Sequence, residues 1–338
     1  MLIGIATSGL WRLRYAVELM TGCTACRLPP LGLGVDAIAG WGHKPTADRA
    51  REIARLQGIP YIAFEDGFLR SISPGNSEKP LSMVMDRTGI YYDARQPSDL
   101  EAMVRMRASS PQPLAQIRLS MENLRKSRLS KYNNSKILDA SALQLKASRP
   151  EDRVLVVDQT AGDASIAGAM ASEDTFAEML DAAATENPGA EVIVRVHPEA
   201  RLGRKSGHFG YERLQEIAKA RPEVEKALKT DLLRLTAEPI NPWSLLEACS
   251  TLYCVSSQLG FEGVMAGCSV HCFGASFYNG WGLTNNRSKK TLNGREKVSI
   301  EVLFAAVYLD YVRYIDHEER RISSYEDTIS RLLFNLLE

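Results

Sequence analysis

Short apolar runs recur along the chain, with amphipathic stretches between them. Residues 2–6 (LIGIA), 37–41 (AIAGW) and 61–64 (YIAF) are bounded runs of the kind that form strands buried on both faces of a parallel sheet. Between the last two lies PTADRAREIARLQGIP, in which Ala47, Ala50, Ile53, Ala54 and Leu56 fall mostly on one helical face. Gly58 marks the stop of that helix and Pro60 the entry to the next strand, which completes a βαβ unit. Runs at 81–85 and 90–92 flank Asp86-Arg87-Thr88-Gly89 and predict two strands joined by a turn. Residues 98 to about 150 are helical, polar and dotted with serines, and predict a helix, a loop and a linker. The strand pattern restarts at 154–157 (VLVV). Phe176, Met179, Leu180 and Ala183 then recur at i, i+3, i+4 and i+7, an Asn-Pro-Gly-Ala turn follows, and 192–196 (VIVRV) is the next strand. Asn241-Pro242 opens another helix, Asn as N-cap and Pro at its first position. A strand at 251–255, a helix over SSQLGFEGVMAG and a strand at 270–273 come next. From 300 to 315, Leu303, Phe304, Val307, Tyr308 and Tyr311 keep helical spacing.

Two α/β halves with a polar linker and a closing helical tail predict two Rossmann-like domains facing across a cleft. The boundaries expected are 1–145 for the first, joined by the tail from about 300 to 338, and 146–299 for the second. A length of 338 residues agrees with two domains of ordinary size. Lys+Arg and Asp+Glu both number 41, so no net field draws the chain to nucleic acid or anionic lipid. No apolar run approaches the ~20 residues that span a bilayer. The N-terminus MLIGIATSGLWRLR lacks a basic region ahead of its apolar part and reads as a strand, so a cytoplasmic location is expected.

Cys23-Thr24-Ala25-Cys26 is a CxxC, but no second CxxC and no paired histidines accompany it, so no metal site is expected. Gly32-Leu33-Gly34 precedes a strand where a dinucleotide fingerprint would join strand to helix, and no GxxxxGK[ST] or DxD motif occurs.

Open α/β sheets bind ligands at the carboxyl ends of their strands, and four such ends carry unusual chemistry. They are Glu65-Asp66-Gly67, Asp158-Gln159-Thr160, His197-Pro198-Glu199 and Ser256-Ser257-Gln258. Singly, each has a bland reading as a helix cap or a hydrogen-bonded turn. Together, Ser256 and Ser257 at a helix N-terminus suit a phosphate, a protonated His197 can bond the same group, and carboxylates stand at two other ends. A phosphate holder with opposed carboxylates is what glycosyl transfer from a nucleotide sugar requires.

The stretches GWGHKP (40–45), FEDGFLRS (64–71), GIYYDA (89–94), LSKYN (129–133), VLVVDQT (154–160), RVHPE (195–199), VSSQLGFEGVMAG (255–267) and FYNGWGLT (277–284) resemble the KpsC family of capsule polysaccharide β-Kdo transferases. They run through nearly the whole chain in the family's order, and the EDG, HP and Ser-Ser elements are also similar to those of bacterial sialyltransferases. Such proteins usually carry two transferase modules, whereas this chain resembles the N-terminal one, as a truncated or short form.

The resemblance implies a GT-B fold with the acceptor side in the first domain and the CMP-sugar donor in the second. It implies transfer of Kdo from CMP-β-Kdo to a Kdo-terminated, phosphatidylglycerol-linked acceptor, with retention and without metal or cofactor. Asp158 matches the nucleophile, and Glu65 and Asp66 supply the acid/base function, with either as the proton carrier. His197 acts on the donor phosphate, with Pro198 beside it; Gln159, Ser256, Ser257, Gln258, Lys131, Tyr278, Trp281 and Gly282 are further donor contacts. Trp281 reads equally as core, and Lys131, in the basic segment RLSKYNNSK, as part of a solvated linker. The linkage is 2→4 or 2→7, with 2→4 favoured. Peripheral association with the inner membrane and contact with other capsule-assembly proteins are also expected. The competing readings are a nucleotide-sugar epimerase of the same architecture and an inactive glycolipid- or partner-binding module.

Overall fold

The computed structural model describes residues 1–75, 78–196, 206–236, 238–290, 292 and 294–336. His197 and Pro198 lie outside the described residues. The chain divides into two compact units, one comprising Met1–Leu124, Leu129–Asn133 and Glu301–Glu338, the other Arg125–Arg128 and Asn134–Ile300.

The first unit holds a seven-stranded sheet. Its strands are β1 (Leu2–Ile5), β2 (Thr24–Arg27), β3 (Ala37–Trp41), β4 (Tyr61–Asp66) and β5 (Ser82–Asp86), numbered in chain order. β2, β1, β3 and β4 lie side by side in that order and are parallel. One face packs Ile3, Ile5, Leu10, Ala16, Val17, Ile62, Phe64 and Met83 together, and the other sets Ile38 against Ala50 and Ala54 of the helix Asp48–Gln57. Gly58 closes that helix as expected, but Leu56 faces solvent.

Residues 90–92 form no strand, contrary to the expected strand pair. Asp86 is wholly buried and accepts from the backbone N–H of Thr88 (3.0 Å), Gly89 (2.7 Å) and Asp99 (3.1 Å) and from the Tyr311 hydroxyl (2.8 Å). One carboxylate thus coils 86–99 into a knot that leads into the helix Asp99–Ala108, where a hairpin would have turned back. The C-terminal stretch departs similarly. Ile300–Phe304 is α-helical and Ala305–Tyr311 π-helical, but Val312–Asp316 and Arg321–Ser323 are strands, here numbered β12 and β13. Val312 and Tyr314 point inward while Arg313 points out, a period of two that overrides the helical spacing before it. β12 pairs antiparallel with β5, and β13 with β12, completing the order β13-β12-β5-β4-β3-β1-β2. Leu129–Asn133 is no solvated linker either: Leu129, Ser130 and Asn133 are buried, and Asn133 Nδ2 donates to the carbonyls of Ser71 (3.0 Å) and Ser130 (2.9 Å).

The second unit holds six strands, β6 (Arg153–Val157), β7 (Glu191–Arg195), β8 (Leu233–Thr236), β9 (Thr251–Cys254), β10 (Ser269–Cys272) and β11 (Asn285–Asn286). All are parallel, in the order β11-β10-β9-β6-β7-β8. Counted within this unit, that is the Rossmann order 3-2-1-4-5-6 read from β8. Phe176, Met179, Leu180 and Ala183 of the helix Glu173–Glu186 are buried on Val154, Val156, Val192 and Val194, as their spacing predicts. Leu155, Val157, Ile193 and Leu252, which alternate with these along their strands, are buried as well, so the sheet is covered on both faces. Asn241 caps the helix Pro242–Ala248 through its side-chain oxygen, 2.9 Å from Trp243 N.

Candidate active site

In the second unit the order of connections reverses between β6 and β9, and a crevice for ligands is expected outside the carboxyl ends of those two strands. Asp158 follows β6 directly and is 1% exposed. Its backbone N–H donates to Arg195 O (3.0 Å), and its Oδ1 accepts from the backbone N–H of Gln159 (2.8 Å) and His208 (2.9 Å). Gln159 bridges the reversal point: Oε1 accepts from Ser256 N (2.8 Å), and Nε2 donates to Ser256 Oγ (3.1 Å). Ser257 caps the nine-residue helix Gln258–Ala266, its Oγ 3.3 Å from Leu259 N. Ser256, Ser257 and Gln258 all keep part of their surface open, and Gln258 Nε2 donates to Glu262 Oε1 (2.9 Å).

Tyr278 and Trp281 are wholly buried and spend their polar hydrogens on backbone, Tyr278 on Ser257 O (2.7 Å) and Trp281 on Phe277 O (2.9 Å). Gly260 permits the first of these bonds, since a Cβ there would stand 2.1 Å from the Tyr278 hydroxyl. The structure therefore puts the Tyr278 ring behind the Ser-Ser loop as its support, Trp281 in the core, and Gly282 in the bend just after it.

Two residues of this edge escaped the sequence reading. Arg195 ends β7, is 9% exposed, and has no hydrogen-bond or ion-pair partner for its guanidinium among the described residues. Burial pulls its pKa down to about 10, against the upward pull of Glu262. The signal was present: an arginine inside the apolar run VIVRV is out of place unless something charged meets it. His208 stacks on Phe176 (centroids 3.7 Å apart, planes 8° apart), and burial lowers its pKa. Nothing in its sequence context marks it.

In the first unit, β4 ends on Glu65 and Asp66. Gly67 follows because the backbone runs tight against β5: its N–H donates to Ser82 O (2.8 Å), and a Cβ would stand 2.3 Å from Ser82 Oγ. Glu65 is 5% exposed, and Lys44 Nζ lies 3.1 Å from its Oε1 and 2.9 Å from its Oε2. Burial raises the Glu65 pKa; Lys44 pulls against this and Asp66 adds to it. Asp66 instead holds the buried Arg70, Oδ2 to Nε 2.8 Å. Lys131 belongs to this unit. Lys44 is itself set by its neighbour. His43 Nδ1 meets Asp93 Oδ2 at 2.8 Å and His43 N–H donates to the Tyr92 hydroxyl at 2.8 Å, while Arg95 grips Asp93 through Nε and Nη2, both at 2.7 Å. Burial works against the Asp93 anion, but Arg95 and His43 outweigh it and hold its pKa below the usual carboxylate range.

The chain as a whole is similar to known proteins. Residues 36–314 match the family model of the capsule polysaccharide biosynthesis proteins. The chain is 36% identical over 308 residues to the Neisseria meningitidis serogroup A capsule polysaccharide modification protein LipA, covering 89% of this chain and 42% of LipA. It therefore spans about two-fifths of the length of that relative. Among solved structures, the β-Kdo 2,4 transferase of Thermosulfurimonas dismutans KpsC superposes with a TM-score of 0.85 at 38% identity over 98% of both chains. The β-Kdo 2,7 transferase of the same organism's KpsC shares the fold, with a TM-score of 0.69 at 23% identity over 100% of this chain and 99% of that one. The protein is thus an α/β enzyme that belongs to the capsule polysaccharide biosynthesis family, homologous to the KpsC β-Kdo transferases.

Proposed function

We propose that this protein moves Kdo from CMP-β-Kdo to a Kdo-terminated, phosphatidylglycerol-linked acceptor, forming a β-(2→4) linkage with net retention. The observation that carries the reading is the 38% identity, over 98% of both chains, to a β-Kdo 2,4 transferase. The Rossmann order of the second unit supports it, because Asp158 and Ser256-Ser257 stand at the two strand ends where that order reverses.

Two displacements account for retention. Asp158 attacks the anomeric carbon of the donor, and the bond to the CMP phosphate breaks with its electron pair on the departing CMP. The hydroxyls of Ser256 and Ser257 at a helix N-terminus, with Gln159 and Gln258 behind them, hold that phosphate. His197, with Pro198 fixing its turn, and the guanidinium of Arg195 add positive charge for an anionic donor. In the second displacement an acceptor hydroxyl gives its proton to a carboxylate as its oxygen attacks, releasing Asp158. Glu65 is the better proton carrier of the pair, since burial raises its pKa while Asp66 is committed to Arg70. A lipid-linked acceptor places the work at the cytoplasmic face of the inner membrane, beside other capsule-assembly proteins; among the described residues no helix is long and apolar enough to cross a membrane.

The test is product analysis with CMP-β-Kdo and a synthetic acceptor ending in Kdo. A new β-linked residue on O4, formed with consumption of the donor only when acceptor is present, is the expected result. Equal donor consumption without acceptor, or an α-linked product, sinks the reading.

A further inference from the structure

Three cations crowd the two acids at the end of β4, and they are not equivalent. Lys44 is spent on Glu65 at 2.9 Å and Arg70 on Asp66 at 2.8 Å, so each of those pairs is neutral within itself. Lys131 is the cation left over. Among the described residues its ammonium has no hydrogen-bond or ion-pair partner, and it hangs over the Tyr132 ring, 5.9 Å from the centroid. The backbone that carries it is pinned: Lys131 O accepts from Arg70 N (3.1 Å) and Ser71 N (3.3 Å), and Asn133 Oδ1 accepts from Ser130 N (2.9 Å). A half-buried ammonium on so fixed a stretch has given up part of its water and is held ready to meet an anion. It stays charged all the same: burial works to lower its pKa, and Tyr132, Tyr91, Asp66 and Glu65 outweigh that and raise it.

We propose that Lys131, beside the Glu65–Asp66 pair, is the binding site for the carboxylate of the acceptor's terminal sugar acid. The inference rests on the transferase reading above and names what holds its acceptor. The charge balance selects the anion. Three cations against two carboxylates leave room for one negative charge, while a phosphate dianion would face repulsion from both acids. A 2-keto-sugar acid presents such a monoanion, and anchoring it next to Glu65 orients the ring so that a fixed hydroxyl meets the proton carrier. Lys131 is thereby moved from the donor's contacts to the acceptor's.

The test compares wild type, Lys131→Met and Lys131→Arg on two acceptors, one ending in Kdo and one ending in its primary amide. Wild type should prefer the acid by about tenfold to a hundredfold in kcat/KM, the worth of one charge-assisted hydrogen bond. Lys131→Met should raise the KM for the acid acceptor by a similar factor, lose the preference between acid and amide, and keep the donor KM within about twofold. Lys131→Arg should recover part of the preference. An unchanged acid-to-amide ratio in Lys131→Met overturns the proposal, and so does a rise confined to the donor KM, which would return Lys131 to the donor. If wild type transfers to neither acceptor, the activity itself is misread. Calorimetric titration with free Kdo then decides the site alone: binding by wild type that Lys131→Met loses upholds it, and equal binding by both, or by neither, overturns it.

Discussion

Replacing Asp158 in two ways separates its chemical role from its structural one. Oδ1 accepts two backbone N–H groups, from Gln159 at 2.8 Å and His208 at 2.9 Å, in a site that is 1% exposed. Asp158→Ala leaves both donors buried and unmet, at roughly 1–3 kcal/mol each, so a loss of roughly 2–6 kcal/mol is expected. At about 2–4 °C per kcal/mol for a body of this size, the unfolding transition of the second unit should fall by about 4–24 °C. Asp158→Asn keeps an oxygen for the same two N–H groups and should melt within about 2 °C of wild type. It nevertheless lacks the anionic nucleophile, and transfer should fall by at least about 10³-fold. Differential scanning calorimetry reads the first effect. Intact-protein mass spectrometry after mixing with donor alone reads the second, with a Kdo-sized adduct on wild type and none on Asp158→Asn. An adduct on Asp158→Asn, or turnover close to wild type, refutes the nucleophile; an undiminished melting point for Asp158→Ala refutes the structural accounting.

The two acids of β4 should behave differently. Glu65→Gln is expected to form the adduct on Asp158 but fail to pass it to acceptor. Asp66→Asn should instead cost about 3 kcal/mol in urea unfolding, because the buried Arg70 loses its counter-charge; adduct trapped by Asp66→Asn and not by Glu65→Gln would invert the roles. Burial raises the Glu65 pKa above its ordinary 4.5, so the folded chain binds that proton more tightly than the unfolded one. The resulting stability is fully present below the ordinary value and is lost as pH rises through the folded one; Glu65→Gln should remove that decline from a series of urea curves, and parallel curves would contradict the assignment. Arg195→Met should weaken binding of CMP-β-Kdo by about tenfold or more while leaving the fold no less stable, since a buried cation with no partner among the described residues is replaced by an apolar chain. Equal donor affinity in that variant would make Arg195 a structural charge.

Local signals carried some elements and not others, for physical reasons visible at single residues. Phe176, Met179, Leu180 and Ala183 were legible because a helix packed on a sheet must repeat its apolar contacts every turn. The helix start at Asn241 was legible because its cap bond lies within two residues. The coil at 86–99 was not, because Asp86 draws one of its four donors from Tyr311, 225 positions away. β12 was hidden in the same way: 312–316 is a strand because β5 offers it an edge, and only the alternation of Val312, Arg313 and Tyr314 betrays it. At the candidate site the acids stood out as charges ending apolar runs. The burial of the segment around Lys131 was not legible, because its surroundings in sequence are polar, whereas in space they include the end of β4 and two tyrosines.

β12 also dictates an order of events during synthesis. The strand that covers the edge of β5 is made after all of residues 134–300, so the second unit is complete in sequence while the first still lacks the two strands beyond β5. A nascent chain halted before residue 312 would carry a finished second unit beside an open hydrogen-bonding edge on β5, bounded by the apolar Met83 and Val84. The ribosome therefore delivers the later unit of this chain ready to fold first, and the acids of β4, one strand from that open edge, are secured only when the last strands arrive.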